Sequence, residues 1–94
     1  MHSVLKKLGI KEVNPGACTG PDGWIEDPAG KKLVSYNPST GEALASVIQA
    51  SPGTYDRVVK KAADTFKTWR ATPAPKRGEV VRELGNILRE YKEP

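Results

Sequence analysis

Cysteine and histidine are the side chains that most often serve as nucleophile and base, and this sequence has one of each, Cys18 and His2. A cysteine nucleophile needs a neighbouring base or cation that favours the thiolate. Cys18 stands in Ala17-Cys18-Thr19-Gly20, which supplies neither, and His2 adjoins the amino terminus. A metal site built from several Cys and His ligands is excluded by their number. The sequence therefore predicts no catalytic or metal-binding residue.

The carboxylates do not form an acid/base pair either. Glu26 and Asp27 are adjacent on a segment expected to be extended, so their side chains should point to opposite faces. A second group of acids shares a predicted helix with arginines and should form exposed ion pairs. The acids are Glu79, Glu83 and Glu90, and the arginines are Arg82 and Arg89.

No phosphate-binding loop is present. Gly30-Lys31-Lys32 has the lysine of a P-loop, but Ile25 occupies the place of its first glycine and Lys32 that of its Ser or Thr. Three earlier glycines lack the spacing of a dinucleotide fingerprint and precede no predicted helix. They are Gly16, Gly20 and Gly23. We predict no cofactor-binding residue.

The 94 residues carry a net charge of +4, which permits attraction to nucleic acid. The positive residues are mixed with Asp and Glu, and a recognition helix starting at Pro73-Ala74-Pro75 would suit DNA poorly. Tyr55, Phe66 and Trp69 recur at helical spacing, which favours a core over a stacking platform for bases. We therefore expect no nucleic-acid partner. A small basic module that binds nucleic acid or protein remains the alternative.

The composition points to the cytoplasm, or to the mitochondrial matrix if the source is eukaryotic. The single cysteine excludes an internal disulfide and suits a reducing compartment. No apolar run approaches the roughly 20 residues that span a bilayer. The first residues have too short an apolar core for a secretory signal.

The first third of the chain is rich in turn residues. Residues 3–8 predict a short helix, and residues 14–30 predict successive turns, including Asn14-Pro15-Gly16. Trp24 and Ile25 are expected to form a short strand between those turns. This strand would be the third of a small sheet.

The rest of the chain predicts a hairpin and two helices, which makes the fold class α+β. Alternation predicts strands over 32–36 and 44–50, joined by the turn Asn37–Glu42. Ser51-Pro52 should start the first helix, and Thr72-Pro73-Ala74-Pro75 should separate it from the second. Each helix has one apolar face. The apolar face of the first helix comprises Tyr55, Val58, Val59, Ala62, Ala63, Phe66 and Trp69; that of the second comprises Val80, Val81, Leu84, Ile87, Leu88 and Tyr91.

The order of these segments resembles the start of an aldehyde dehydrogenase. The turn Tyr36–Glu42 and the helix from Val58 to Trp69 are similar to the hairpin and first long helix of that family. Residues 73–82, Pro-Ala-Pro-Lys-Arg-Gly-Glu-Val-Val-Arg, resemble the antiquitin branch, the semialdehyde dehydrogenases of lysine breakdown. The resemblance covers roughly residues 20–93.

The resemblance implies NAD or NADP chemistry in which a cysteine thiolate attacks an aldehyde and a glutamate-activated water releases the acid. The residues for these steps would lie beyond position 94, so Cys18 is not the family nucleophile. Some members bind a monovalent cation through backbone carbonyls, which would fall at Ser35 and Tyr36. Its other ligands would be absent, and we assign no metal site.

The resemblance also implies a division of the chain. Residues 1–31 would be an extension rich in turns, residues 32–94 would begin the NAD(P)-binding domain, and the catalytic domain would be absent. The chain alone should neither bind the cofactor nor oxidise an aldehyde. Its partners would be the remaining dehydrogenase polypeptide and, in the whole enzyme, further subunits of a homo-oligomer such as a tetramer.

Overall fold

The computed structural model describes residues 3–94, and their contacts divide the chain into two compact units that meet in sequence between Lys61 and Ala62. The elements in chain order are α1 (Ser3–Lys7), β1 (Val13–Pro15), β2 (Lys32–Tyr36), β3 (Ala43–Ile48), α2 (Pro52–Trp69) and α3 (Ala74–Glu90). The predicted α+β class is confirmed. Within the described residues, no helix is both long enough and apolar enough to cross a membrane.

The three strands form one sheet in the order β1-β3-β2. β2 and β3 are antiparallel and pair Leu33 with Val47, which confirms the predicted hairpin. Its turn is closed by the Gly41 N–H, which donates to the Asn37 carbonyl at 2.7 Å. Gly41 has φ of 77°, a left-handed conformation that favours glycine.

The third strand is not the predicted one. β1 pairs parallel to β3, whereas Trp24 makes only an isolated bridge with Cys18. The prediction of a strand at Trp24-Ile25 and a turn at Asn14-Pro15-Gly16 was therefore wrong. An edge strand tolerates Pro15, whose missing N–H would disrupt a central strand.

Two features explain why the chain is extended at β1. The Asn14 amide group donates to the Lys11 carbonyl at 2.7 Å and to the Ser46 carbonyl at 3.1 Å. Gly16 passes so close to β3 that a Cβ there would lie 2.2 Å from the Ile48 carbonyl oxygen. The contacts with Ser46 and Ile48 join residues far apart in sequence, so a local turn signal did not reveal them.

The helices begin and end close to their predicted positions. α1 confirms the predicted short helix and is followed by Gly9 at φ of 73°. α2 starts at Pro52, and the Ser51 hydroxyl oxygen accepts a hydrogen bond from the Thr54 N–H at 3.4 Å, as expected of a helix cap. α3 starts after Pro73, which has an extended conformation with ψ of 138°.

The apolar faces of α2 and α3 do not form a core among the described residues. The predicted core residues Tyr55 and Phe66 are 64% and 54% exposed, and no residue of either helix is buried. The buried side chains among residues 3–94 are Ile25 and Ser46, both outside the helices. The prediction that the aromatic residues of α2 are core is therefore wrong among the described residues, where Tyr55, Phe66 and Trp69 are all exposed.

Candidate functional site

Cys18 lies in a tight loop that its backbone helps to close. The residue is half-buried and pairs with Trp24 as an isolated antiparallel bridge. Thr19 donates its N–H to the Gly23 carbonyl at 2.9 Å, and Gly23 donates to the Gly20 carbonyl at 2.9 Å. These contacts hold the backbone on the carboxyl-terminal side of Cys18 in a closed loop. His2, the other residue weighed for chemistry, lies outside the described residues.

The acidic residues do not assemble into a metal centre. Across residues 3–94, no three His, Cys, Asp or Glu side chains come together in a way that could hold a metal ion. Glu79 accepts a hydrogen bond from the exposed Arg82 guanidinium at 2.7 Å, which confirms an ion pair on the predicted polar surface. Arg89 instead donates to the Asn86 side-chain oxygen at 3.2 Å. Both contacts fit a solvated helix surface.

Asp27 is the acidic residue with the most defined surroundings, and sequence reasoning missed its role. Its Oδ2 accepts a hydrogen bond from the Ser51 N–H at 2.8 Å, and its Oδ1 accepts one from the Ala29 N–H at 3.0 Å. The hydroxyl of Thr54, followed by the amide and hydroxyl of Ser51, holds the pKa of Asp27 far below its ordinary value of 3.8. The contact with Ala29 could be predicted from the sequence, because Asp27-Pro28 is typical of a turn. The contact with Ser51 could not, because Ser51 lies 24 residues away.

A groove of about 420 Å³ opens beside the sheet and α1. It is lined mainly by apolar side chains, among them Leu5, Ile10, Leu33 and Leu44. Two of its polar residues are already engaged within the sheet region. Asn14 donates to the Ser46 carbonyl, and the Ser46 hydroxyl donates to the Glu12 carbonyl at 3.1 Å.

This groove does not fit NAD or NADP. A dinucleotide site needs backbone N–H groups or cations for its phosphates and polar partners for its riboses. The side chains that line the groove are mainly apolar, and those of Asn14 and Ser46 already donate hydrogen bonds to the Ser46 and Glu12 carbonyls.

The apolar faces of α2 and α3 are exposed surfaces that could take part in recognition. On the apolar face of α3, every large side chain is exposed, with Val81 and Leu88 each at 65%. On the apolar face of α2, Tyr55 and Phe66 are exposed, and the Arg70 guanidinium lies 5.7 Å from the centre of the Phe66 ring. Neighbouring apolar side chains that are exposed together are typical of a protein interface. These faces are thus suited to packing against other polypeptide.

The chain matches one family model and is similar to several known proteins. A family model described as "Aldehyde dehydrogenase family" matches residues 24–94. The chain is 43% identical over 89 residues to an alpha-aminoadipic semialdehyde dehydrogenase of Bos taurus, a match that covers 95% of this chain and 16% of the relative. It is 38% identical over 90 residues to "Aldehyde dehydrogenase family 7 member A1" of Pisum sativum, a match that covers 96% of this chain and 17% of that protein.

A bacterial relative extends the comparison. The chain is 40% identical over 70 residues to "Malonate-semialdehyde dehydrogenase 2" of Geobacillus kaustophilus, a match that covers 74% of this chain and 14% of that protein. The chain therefore spans about one sixth of the length of the curated relatives it matches. The predicted resemblance to the amino-terminal portion of the antiquitin branch is confirmed.

Proposed function

Because this chain belongs to the aldehyde dehydrogenase family, we propose that it supplies the amino-terminal part of an NAD(P)-dependent enzyme that oxidises an aldehyde or semialdehyde to a carboxylic acid. The observation that carries this proposal is the family match over residues 24–94. The names of the relatives from Bos taurus and Geobacillus kaustophilus favour a semialdehyde as substrate.

The part we assign to these residues is structural. We propose that residues 32–94 begin the cofactor-binding domain and that residues 1–31 precede it as an extension, with β1 as the contact between the extension and the sheet. The exposed apolar faces of α2 and α3 would cover other parts of that domain. Their exposure in the described residues supports this role, because water is a poor partner for such side chains.

The 94-residue chain by itself should not oxidise aldehydes. The family's chemistry needs a thiolate and a glutamate that activates water, and Cys18 sits in a loop closed by its own backbone contacts. The purified chain, mixed with NAD or NADP and an aliphatic semialdehyde, should form no NADH or NADPH above the buffer rate. Cofactor reduction that depends on chain concentration would contradict this expectation.

Complementation tests the structural role directly. A related semialdehyde dehydrogenase that lacks its corresponding amino-terminal segment should be inactive, and adding this chain should restore aldehyde oxidation. No restored activity, together with no binding between the two polypeptides, would contradict the proposal. In the whole enzyme we further propose a homo-oligomer in the cytoplasm or mitochondrial matrix.

The second candidate is a small basic binding module, and the net charge of +4 is the observation behind it. A module of this kind should be retained on DNA with an affinity that falls steeply with salt, because each phosphate contact releases counterions. Absence of retention at low salt, or retention that does not weaken as the salt concentration rises, would exclude it.

A further inference from the structure

The first turn of α2 lacks an acidic residue of its own, although a negative charge there would interact favourably with the positive end of the helix. The carboxylate that lies at this position is Asp27, which comes from the turn before β2. Its Oδ2 accepts the Ser51 N–H at 2.8 Å, immediately before the helix begins at Pro52.

Three residues of the helix start and the turn form one hydrogen-bonded cluster. The Ser51 hydroxyl donates to the Thr54 hydroxyl oxygen at 3.3 Å and accepts from the Thr54 N–H at 3.4 Å. The Asp27 carboxylate is fixed on its other side by the Ala29 N–H at 3.0 Å. The carboxylate therefore joins its own turn to the beginning of the helix.

Backbone contacts beside this cluster also join the turn before β2 to the segment that follows β3. Gln49 donates its N–H to the Lys31 carbonyl at 2.8 Å. At Gly30 the chain passes so close to the end of β3 that a Cβ would lie 2.0 Å from the Gln49 carbonyl oxygen. Residues 27–31 thus contact residues 49–51 at three places, Asp27 with Ser51, Gly30 with Gln49 and Lys31 with Gln49.

We propose that Asp27 is a conformational latch, through which residues 27–31 fix the start of α2 at Ser51-Pro52. When the latch is broken, the first turn of α2 should open while the β2–β3 pairing persists. This role concerns the fold of residues 27–54 and does not depend on the enzyme to which the chain contributes.

Amide hydrogen exchange on the full 94-residue chain tests the latch. In Asp27→Asn the shape is nearly kept, but the charged acceptor is lost. The Ser51 and Thr54 amides should then exchange about tenfold faster, the change expected when a helix cap is removed. Amides of the β2–β3 ladder should change far less. Glu26→Gln is the matched control, since Glu26 is an adjacent exposed carboxylate, and it should leave the Ser51 amide unchanged.

The wild-type chain gives a second measurement in case Asp27→Asn does not fold. The chemical shift of the Ser51 amide proton should follow the titration of the Asp27 carboxyl carbon as the pH falls. A Ser51 amide that ignores this titration, or that exchanges like an unstructured amide in the wild type, would overturn the proposal. Equal exchange in the Asp27 and Glu26 variants would overturn it as well.

Discussion

Asp27 should make the stability of the chain sensitive to acid. Hydrogen bonds from Thr54 and Ser51 lower its pKa in the folded chain below the ordinary value of 3.8. A group whose folded pKa is lowered contributes stability above its unfolded pKa and loses that contribution as the pH falls toward the folded pKa. The contribution of Asp27 should thus be complete at neutral pH and should decline below about pH 4.

The test compares urea unfolding of the wild type and Asp27→Asn by circular dichroism at several pH values. The variant should unfold at lower urea near neutral pH, and the two midpoints should converge in acid. A difference between the midpoints that stays constant down to the acid limit would show that ionisation of Asp27 is not the cause.

Gly30 allows a second prediction at the residue scale. Gly30→Ala would place a Cβ 2.0 Å from the Gln49 carbonyl oxygen, which is backbone and cannot swing aside. We expect a loss of roughly 1–3 kcal/mol in the free energy of unfolding, the range for overpacked sites. Chemical denaturation measures it.

Gly78→Ala is the matched control for Gly30→Ala. Gly78 lies within α3, and a Cβ added there would meet no atom of the described residues within 4 Å. Alanine should therefore stabilise this helix by about 0.4–1 kcal/mol. If both glycines tolerate alanine equally, the close approach at Gly30 does not constrain the chain.

At the scale of elements, a substitution on the exposed apolar face of α3 should affect binding to a polypeptide partner much more than it affects the stability of the chain. Leu84 is 57% exposed on its apolar face, so Leu84→Ser should change the stability of the chain by no more than about 0.5 kcal/mol beyond helix propensity. The same change should impair complementation of the truncated dehydrogenase, because it removes apolar area from the proposed contact.

Glu83→Ser is the control for Leu84→Ser. Glu83 is exposed and next in sequence, and its replacement costs a similar amount of helix propensity. Complementation should survive in Glu83→Ser. Loss of complementation to the same degree in both variants would mean that the apolar face of α3 is not the contact.

At the scale of the whole molecule, exposed apolar side chains should drive association. Both helices leave large residues in water, and Ile25 is the buried apolar residue among those described. The chain should bind a hydrophobic dye and self-associate as its concentration rises, as seen by light scattering and sedimentation. A monomer that melts sharply and ignores the dye would contradict the view that these faces need a polypeptide partner.

Local sequence patterns predicted most of the elements. Alternation marked β2 and β3, Ser51-Pro52 marked the start of α2, and the 3-4 spacing marked both helix faces. Such patterns reflect preferences that act within a few residues, so they are readable without knowing the fold.

The tertiary structure decided which distant segments meet. β1 is a strand because Asn14 and Gly16 fit against Ser46 and Ile48. Asp27 contacts the start of α2 because its Oδ2 accepts the Ser51 N–H at 2.8 Å. It also decided that the aromatic residues of α2 remain exposed in these 94 residues. A one-dimensional pattern tells which face of an element is apolar, whereas only folding in three dimensions determines what, if anything, covers that face.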